Sequence, residues 1–425
     1  MRLPWSFVWL LCGVSEAWTI DRRSALVSVA ASLLAPSIDV ASSQCDVYRV
    51  VSDASEALSP SLESLSVRGP ALCDMVVGAD CRLQTDLSSV IPQKDSFLEG
   101  LASSKGALWL GEHHNSLQDH LLQTGIIREL HSRRKGSVAI GLEQVQRQFQ
   151  PVLDRFVAGR LTLNQLRNQV QWDTRWTWSF EVYEPLFQLA QERRIPLVAL
   201  NVDSEDLALV ERSGLPGLPQ DRLQLYIPDA YVACRSVPLL QCPFRHSCRL
   251  CRPGFAAFAQ PISYRTYVDY VIRPSYELHD AMGLLRNTMA GDPLEEKMSF
   301  RNFFSGRILW DEGMATAAYQ FLEKRPDTLL VGLVGADHVK FRDGIPGRFE
   351  RLAQDQFESV SVVLNPTLID TRPAGTVGMS GARSDQPDSL TLQLRYVKED
   401  IHDVGPVNTS STGGVLPFSD FILIG

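Results

Sequence analysis

Four apolar runs in this chain each lead into ionisable residues. Ala107-Leu-Trp-Leu-Gly runs into Glu112-His113-His114, Val138-Ala-Ile-Gly-Leu into Glu143, and Leu197-Val-Ala-Leu-Asn-Val into Asp203. Residues 329–335 are followed by Asp337-His338. Continuous apolar runs separated by stretches of helical periodicity predict strands of a parallel sheet covered on both faces. In open sheets of this kind ligands bind beyond the carboxyl ends of the strands. The fold class is therefore α/β, a mostly parallel β-sheet flanked by helices, and Glu112, His113, Glu143 and His338 are expected to converge on one pocket.

The chemistry of that set points to iron or another metal. Two imidazoles and two carboxylates supply the neutral nitrogen and anionic oxygen ligands that zinc, manganese or iron accepts. With one position open, the ion lowers the pKa of a bound water, and Glu112 or Glu143 as base takes its proton, the logic of metal-assisted hydrolysis. The same histidines suit haem iron or the haem propionates, and tyrosine is also an accepted haem ligand. Tyr264, Tyr267, Tyr270 and Tyr276 are the candidates to close a flat apolar pocket. His114 and His120 are weaker site candidates. Trp172, Trp176, Trp178 and Trp310 read first as core, and Asp311 either points into the pocket or caps its own helical turn.

The residues around the run ends resemble a known family. Gly111-Glu112-His113-His114-Asn115 with Asp119-His120-Leu-Leu-Gln123 is similar to the G-E-x-H-D-N…H-H-x-x-Q opening of ChaN-like haem-binding uptake proteins, relatives of the Tiki and erythromycin-esterase groups. Residues 172–185 resemble the family's W…W…Y-x-P segment, and residues 309–315 its L-W-D-x-x-M-A helix. Gly335 to His338 with Gly344-Ile345-Pro346 resembles the G-x-x-H…G-I-P close. The resemblance covers about residues 95 to 366. It implies an α/β core, haem as ligand, and a dimer sandwiching that ligand; the Tiki relatives imply the metal-dependent hydrolase as the alternative. Asp203 departs from the Pro-Arg that the family commonly shows after its third-strand Asn.

Organisation follows from composition. At 425 residues, 44% hydrophobic, the chain has ample material for a core. A net charge of −8 argues against nucleic acid as a partner, because phosphate-backbone binders concentrate Lys and Arg. Residues 1–43 read as a targeting leader. Arg2 precedes a short apolar stretch ending at Ser15-Glu16-Ala17, a signal-peptide pattern, and Arg22-Arg23 leads a second apolar run from Ala25 to Ala35. This resembles a bipartite leader for plastids enclosed by extra membranes, with a thylakoid Tat-like second part, and it predicts the thylakoid lumen. The alternatives are secretion, a single amphipathic leader or an uncleaved anchor. Neither Cys12 nor Cys45 has a lipobox. No later run reaches transmembrane length, so the mature chain is expected to be soluble or in peripheral membrane contact.

A lead-in of uncertain structure occupies 44–94, the α/β domain 95–366, and a β-containing extension 367–425. A helical insertion at about 204–299 lies over the strand carboxyl ends. It holds Cys234, Cys242, Cys248 and Cys251, for which disulfides are favoured over zinc, and a long helix from Tyr264 to Met289 interrupted at Pro274.

Overall fold

A computed structural model describes residues 66–68, 71–74, 82–84, 94–228, 267–366 and 415–424. The leader, the four-cysteine loop, Tyr264 and the run 390–397 lie outside the described residues. The strands are β1 (Ser66–Arg68), β2 (Ala71–Asp74), β3 (Arg82–Gln84), β4 (Gly106–Glu112), β5 (Val138–Gln146), β6 (Leu197–Asn201), β7 (Leu329–Gly335), β8 (Glu358–Leu364), β9 (Val415–Ser419) and β10 (Phe421–Ile424). The main sheet has the order β1-β10-β8-β4-β7-β5-β6, and β3-β2-β9 form a smaller one. Six strands of the main sheet run parallel, from β10 to β6, and β1 pairs antiparallel at the edge. The expected parallel α/β architecture is present, extended by a C-terminal strand beside β8.

Strand alternation explains how both faces are filled. Leu108 and Leu110 of β4 enter one hydrophobic cluster with Ile140, Leu142, Val331 and Leu333. Ala107 and Trp109 enter the opposite one with Ala139, Leu330 and Val334. The β4–β7 register places Trp109 opposite Gly332. A Cβ on Gly332 would lie 2.4 Å from the Trp109 ring, so the missing side chain is what admits the indole.

Helices Leu117–Arg133, Gln150–Val157, Leu163–Gln169 and Glu184–Arg193 accompany the first cluster, and Phe300–Lys324 with Ile345–Ala353 the second. Ser116 caps the first of these helices, its hydroxyl accepting the Asp119 N–H at 3.2 Å. Within the insertion, Ser204–Ser213 and Gln220–Tyr226 pack through Leu207, Val210, Leu223 and Tyr226 against Leu309. Asp203 ties this layer down by accepting the Gln148 N–H and pairing with Arg222 at 2.8 Å. The long insertion helix differs from expectation. Residues Val268–Ile272 form a π turn, which accommodates the missing N–H of Pro274, and the following helix, Arg273–Ala281, stops well before Met289. Gly283, at φ 71°, takes the left-handed turn that follows. Among the described residues no helix is long and apolar enough to cross a membrane.

Candidate functional site

The carboxyl ends of β4, β5 and β7 carry two buried polar networks, one on each face. Alternation sends Glu112 to the face of Leu108 and Leu110, and Glu143 to the face of Ala139. Glu112 is 2% exposed. Its Oε1 accepts from Tyr183 Oη at 2.6 Å and Gln144 Nε2 at 3.1 Å, and its Oε2 accepts from Gln123 Nε2 at 2.7 Å. His120 Nδ1 lies 3.5 Å from Oε2. Burial alone raises a carboxyl pKa, but the charges and hydrogen bonds of His120 and His114 outweigh it and hold Glu112 well below the usual carboxylate range. Burial and the Glu112 charge push Tyr183 well above the usual phenol range, so its hydroxyl stays a donor.

On the opposite face Glu143 Oε2 accepts the Gly335 N–H at 2.6 Å, and Oε1 lies 3.3 Å from His338 Nε2. His338 Nδ1 bonds Asp311, whose other oxygen accepts Tyr267 Oη at 2.7 Å. Asp311 thus points into the site, the first of the two readings open to it. The network continues through Arg348 to Glu312 and Arg351, and Arg307 Nη1 reaches His338 Nε2 at 3.2 Å. Against burial, His338 keeps Glu143 and Asp311 below their ordinary values. Burial and Arg307 lower the His338 pKa, yet Glu143 and Asp311 win and leave it raised.

His114 joins the two halves. Its Nδ1 is 2.9 Å from Glu112 Oε1 and its Nε2 3.9 Å from Glu143 Oε1. Gly335 makes room for this ring, since a Cβ there would lie 2.8 Å from His114 Nε2. Trp176 meets the imidazole edge-on at a centroid distance of 5.0 Å, with Trp178 at 5.8 Å. The His114 side chain is 20% exposed, whereas the glutamates and His338 are at most 2% exposed. His114 is therefore the solvent-reaching group of the cluster, more central than its sequence rank implied. The signal was present: the family spacing G-E-x-H falls on His114, not on His113.

His113 faces Asp119. Its backbone N–H and its Nδ1 both lie 2.8 Å from Asp119 Oδ2, and Asn365 Nδ2 donates to Oδ1 at 2.7 Å. Glu112, Glu143 and His338 are thus gathered with His114, and His113 stands in an imidazole–carboxylate pair of its own. His120 is buried against Tyr183 with ring centroids 4.1 Å apart. Trp172 is core, as expected, donating to the Trp178 carbonyl at 2.8 Å. Trp176 belongs to the same core cluster and Trp178 and Trp310 pack against it, and all three also border site imidazoles, Trp310 lying 5.6 Å from His338. Tyr276 donates to the Met298 carbonyl at 3.0 Å, and the side chain of Tyr270 is outside the described residues. Among the described residues, no group of three or more His, Cys, Asp or Glu side chains is placed to hold a bare metal ion.

A family model described as haem-binding uptake, Tiki superfamily, ChaN matches residues 100–349, and the chain belongs to that family. Among solved structures it is similar to ChaN of Campylobacter jejuni, described as binding haem cofacially, with 15% identity over 78% of this chain and 91% of that chain and a TM-score of 0.42. An erythromycin esterase variant in its open conformation shares 14% identity over 83% of this chain and 97% of its own, with a TM-score of 0.36. A Bacillus cereus protein shares 13% identity over 77% of this chain and 90% of its own, with a TM-score of 0.34. No curated protein sequence matches the chain.

Proposed function

We propose that this protein binds and hands on haem, or a related iron tetrapyrrole, at the carboxyl ends of β4, β5 and β7. The observation that carries the reading is His114, whose partly exposed imidazole has its Nδ1 against the Glu112 carboxylate and two tryptophans, Trp176 and Trp178, as neighbours. Metal-ligating histidines characteristically donate one ring N–H to a carboxylate, which fixes the tautomer and leaves the other nitrogen with its lone pair. The donors on Glu112 from Tyr183, Gln144 and Gln123 keep that carboxylate charged and in place. His113 on Asp119 repeats the arrangement and is the second candidate ligand.

The donor set fits haem better than a bare ion. A bare catalytic zinc ordinarily needs about three protein ligands. A haem brings its own four nitrogens, so one or two side chains suffice. If bound, the group would supply an iron that an imidazole can ligate; His114 would hold it, with Trp176 and Trp178 as aromatic neighbours of that imidazole.

Hydrolysis remains the alternative, with Glu112 or Glu143 as base. Reconstitution of the mature chain with iron protoporphyrin IX separates the two. The haem reading expects a stoichiometric Soret band. Absence of the band together with turnover of ester or peptide substrates would favour hydrolysis.

A further inference from the structure

Arg307 is 9% exposed, and its guanidinium uses only Nη1, toward His338 Nε2 at 3.2 Å. Its Nε and Nη2 are buried without a hydrogen-bond partner, as is the indole Nε1 of Trp310. Unsatisfied N–H groups on a buried cation are costly, and native structures seldom leave them so. The two nitrogens form one edge of the guanidinium, the fork that receives a carboxylate through two parallel hydrogen bonds. Trp310 lies one helical turn along, with its ring 5.8 Å from the Arg307 guanidinium carbon, so both belong to the same helix face.

Arg307 belongs to one continuous buried network with Arg348, Arg351, Glu143, Asp311 and Glu312. The network reaches the His114 end of the site through Glu143, whose Oε1 lies 3.9 Å from His114 Nε2 and 3.3 Å from His338 Nε2.

We propose that the unpartnered Nε/Nη2 edge of Arg307, one helical turn from the unpartnered Trp310 Nε1, is the subsite for a carboxylate of the bound tetrapyrrole. This inference rests on the haem reading above and adds a requirement to it: the ligand is an acid-bearing porphyrin, anchored at one end by iron and at the other by charge. The test titrates the full mature chain with iron protoporphyrin IX and, in parallel, with its dimethyl ester, which keeps the iron and ring and removes both negative charges.

The free acid is expected to bind about 10- to 100-fold more tightly than the ester, the range that a charged hydrogen-bond pair supplies. Arg307→Gln should erase that preference. The ester comparison needs no variant, so misfolding of Arg307→Gln would not hide the answer. Equal affinities for acid and ester in the unaltered protein, or a preference that survives Arg307→Gln, would overturn the subsite and leave haem binding standing. Binding of neither pigment would overturn both.

Discussion

At the scale of single residues, the site depends on a contact that only glycine permits. Gly335 ends β7 in an ordinary extended conformation at φ −59°, so its value here lies in the absent Cβ. Gly335→Ala would press a methyl to 2.8 Å from His114 Nε2, and the ring, hemmed by Trp176, must turn away from Glu143. We expect a modest loss of stability, about 1–2 kcal/mol as for other overpacked interiors, and a spectral change in the haem-loaded protein as large as that of His114→Ala. An alanine variant with an unaltered visible spectrum would show that His114 is not beside the pigment. The residue types at the strand ends were legible in the sequence. The imidazole between the glutamates was legible only through the G-E-x-H spacing, which falls on His114; periodicity did not show that Asp119, six residues from His113, captures the neighbouring ring.

Elements carry a second kind of information. Strands β4 to β7 were readable because a parallel strand buried on both faces needs a continuous apolar run, and each of the four has one. The insertion was harder. Its helices are short, and polar bonds fasten them as much as periodicity does. Glu211 on the Ser204–Ser213 helix is 7% exposed and accepts the Met289 N–H at 2.9 Å, pinning the turn before the Phe300–Lys324 helix. Burial pushes its carboxyl up to about 7, against the Met289 N–H and Arg212. Because the folded value is raised, its favourable contribution is present below the ordinary carboxyl range and is lost as pH rises through 7. Glu211→Gln keeps an acceptor for Met289 without the charge. It should stabilise the protein by about 3 kcal/mol at alkaline pH, on the scale of about 1.36 kcal/mol per pKa unit, and change little under mildly acidic conditions. Equal effects at both, by thermal unfolding, would refute the assignment.

For the whole molecule, two sets of buried groups bound the pH range of stability. Glu112 and Glu143 sit below their ordinary 4.5 in the fold and Asp311 below 3.8, so their contributions are intact above those values and fall away as acid protonates them. His120 and His338 are raised from 6.5, so theirs are intact below it and decline as pH climbs through the folded values. The melting temperature should therefore peak between 4.5 and 6.5. A maximum on the alkaline side would mean that the networks are not ionised as described.

Targeting belongs to this scale too. On the proposal that Arg22-Arg23 leads a Tat-like segment, Arg22→Lys with Arg23→Lys should hold a fluorescent leader fusion in the stroma with plastid import intact. Passage to the lumen regardless would remove that proposal. A folded-protein route is consistent with cofactor loading before the last membrane.

The central claim is that His114, held by Glu112 at the end of β4, is the group that meets the iron. The direct measurement is the visible spectrum of the reconstituted mature chain beside those of His114→Ala and His113→Ala at equal haem occupancy. The account predicts a Soret band that His114→Ala shifts or abolishes and that His113→Ala leaves in position. A band unchanged by His114→Ala and lost with His113→Ala would contradict it and move the iron to the imidazole held by Asp119.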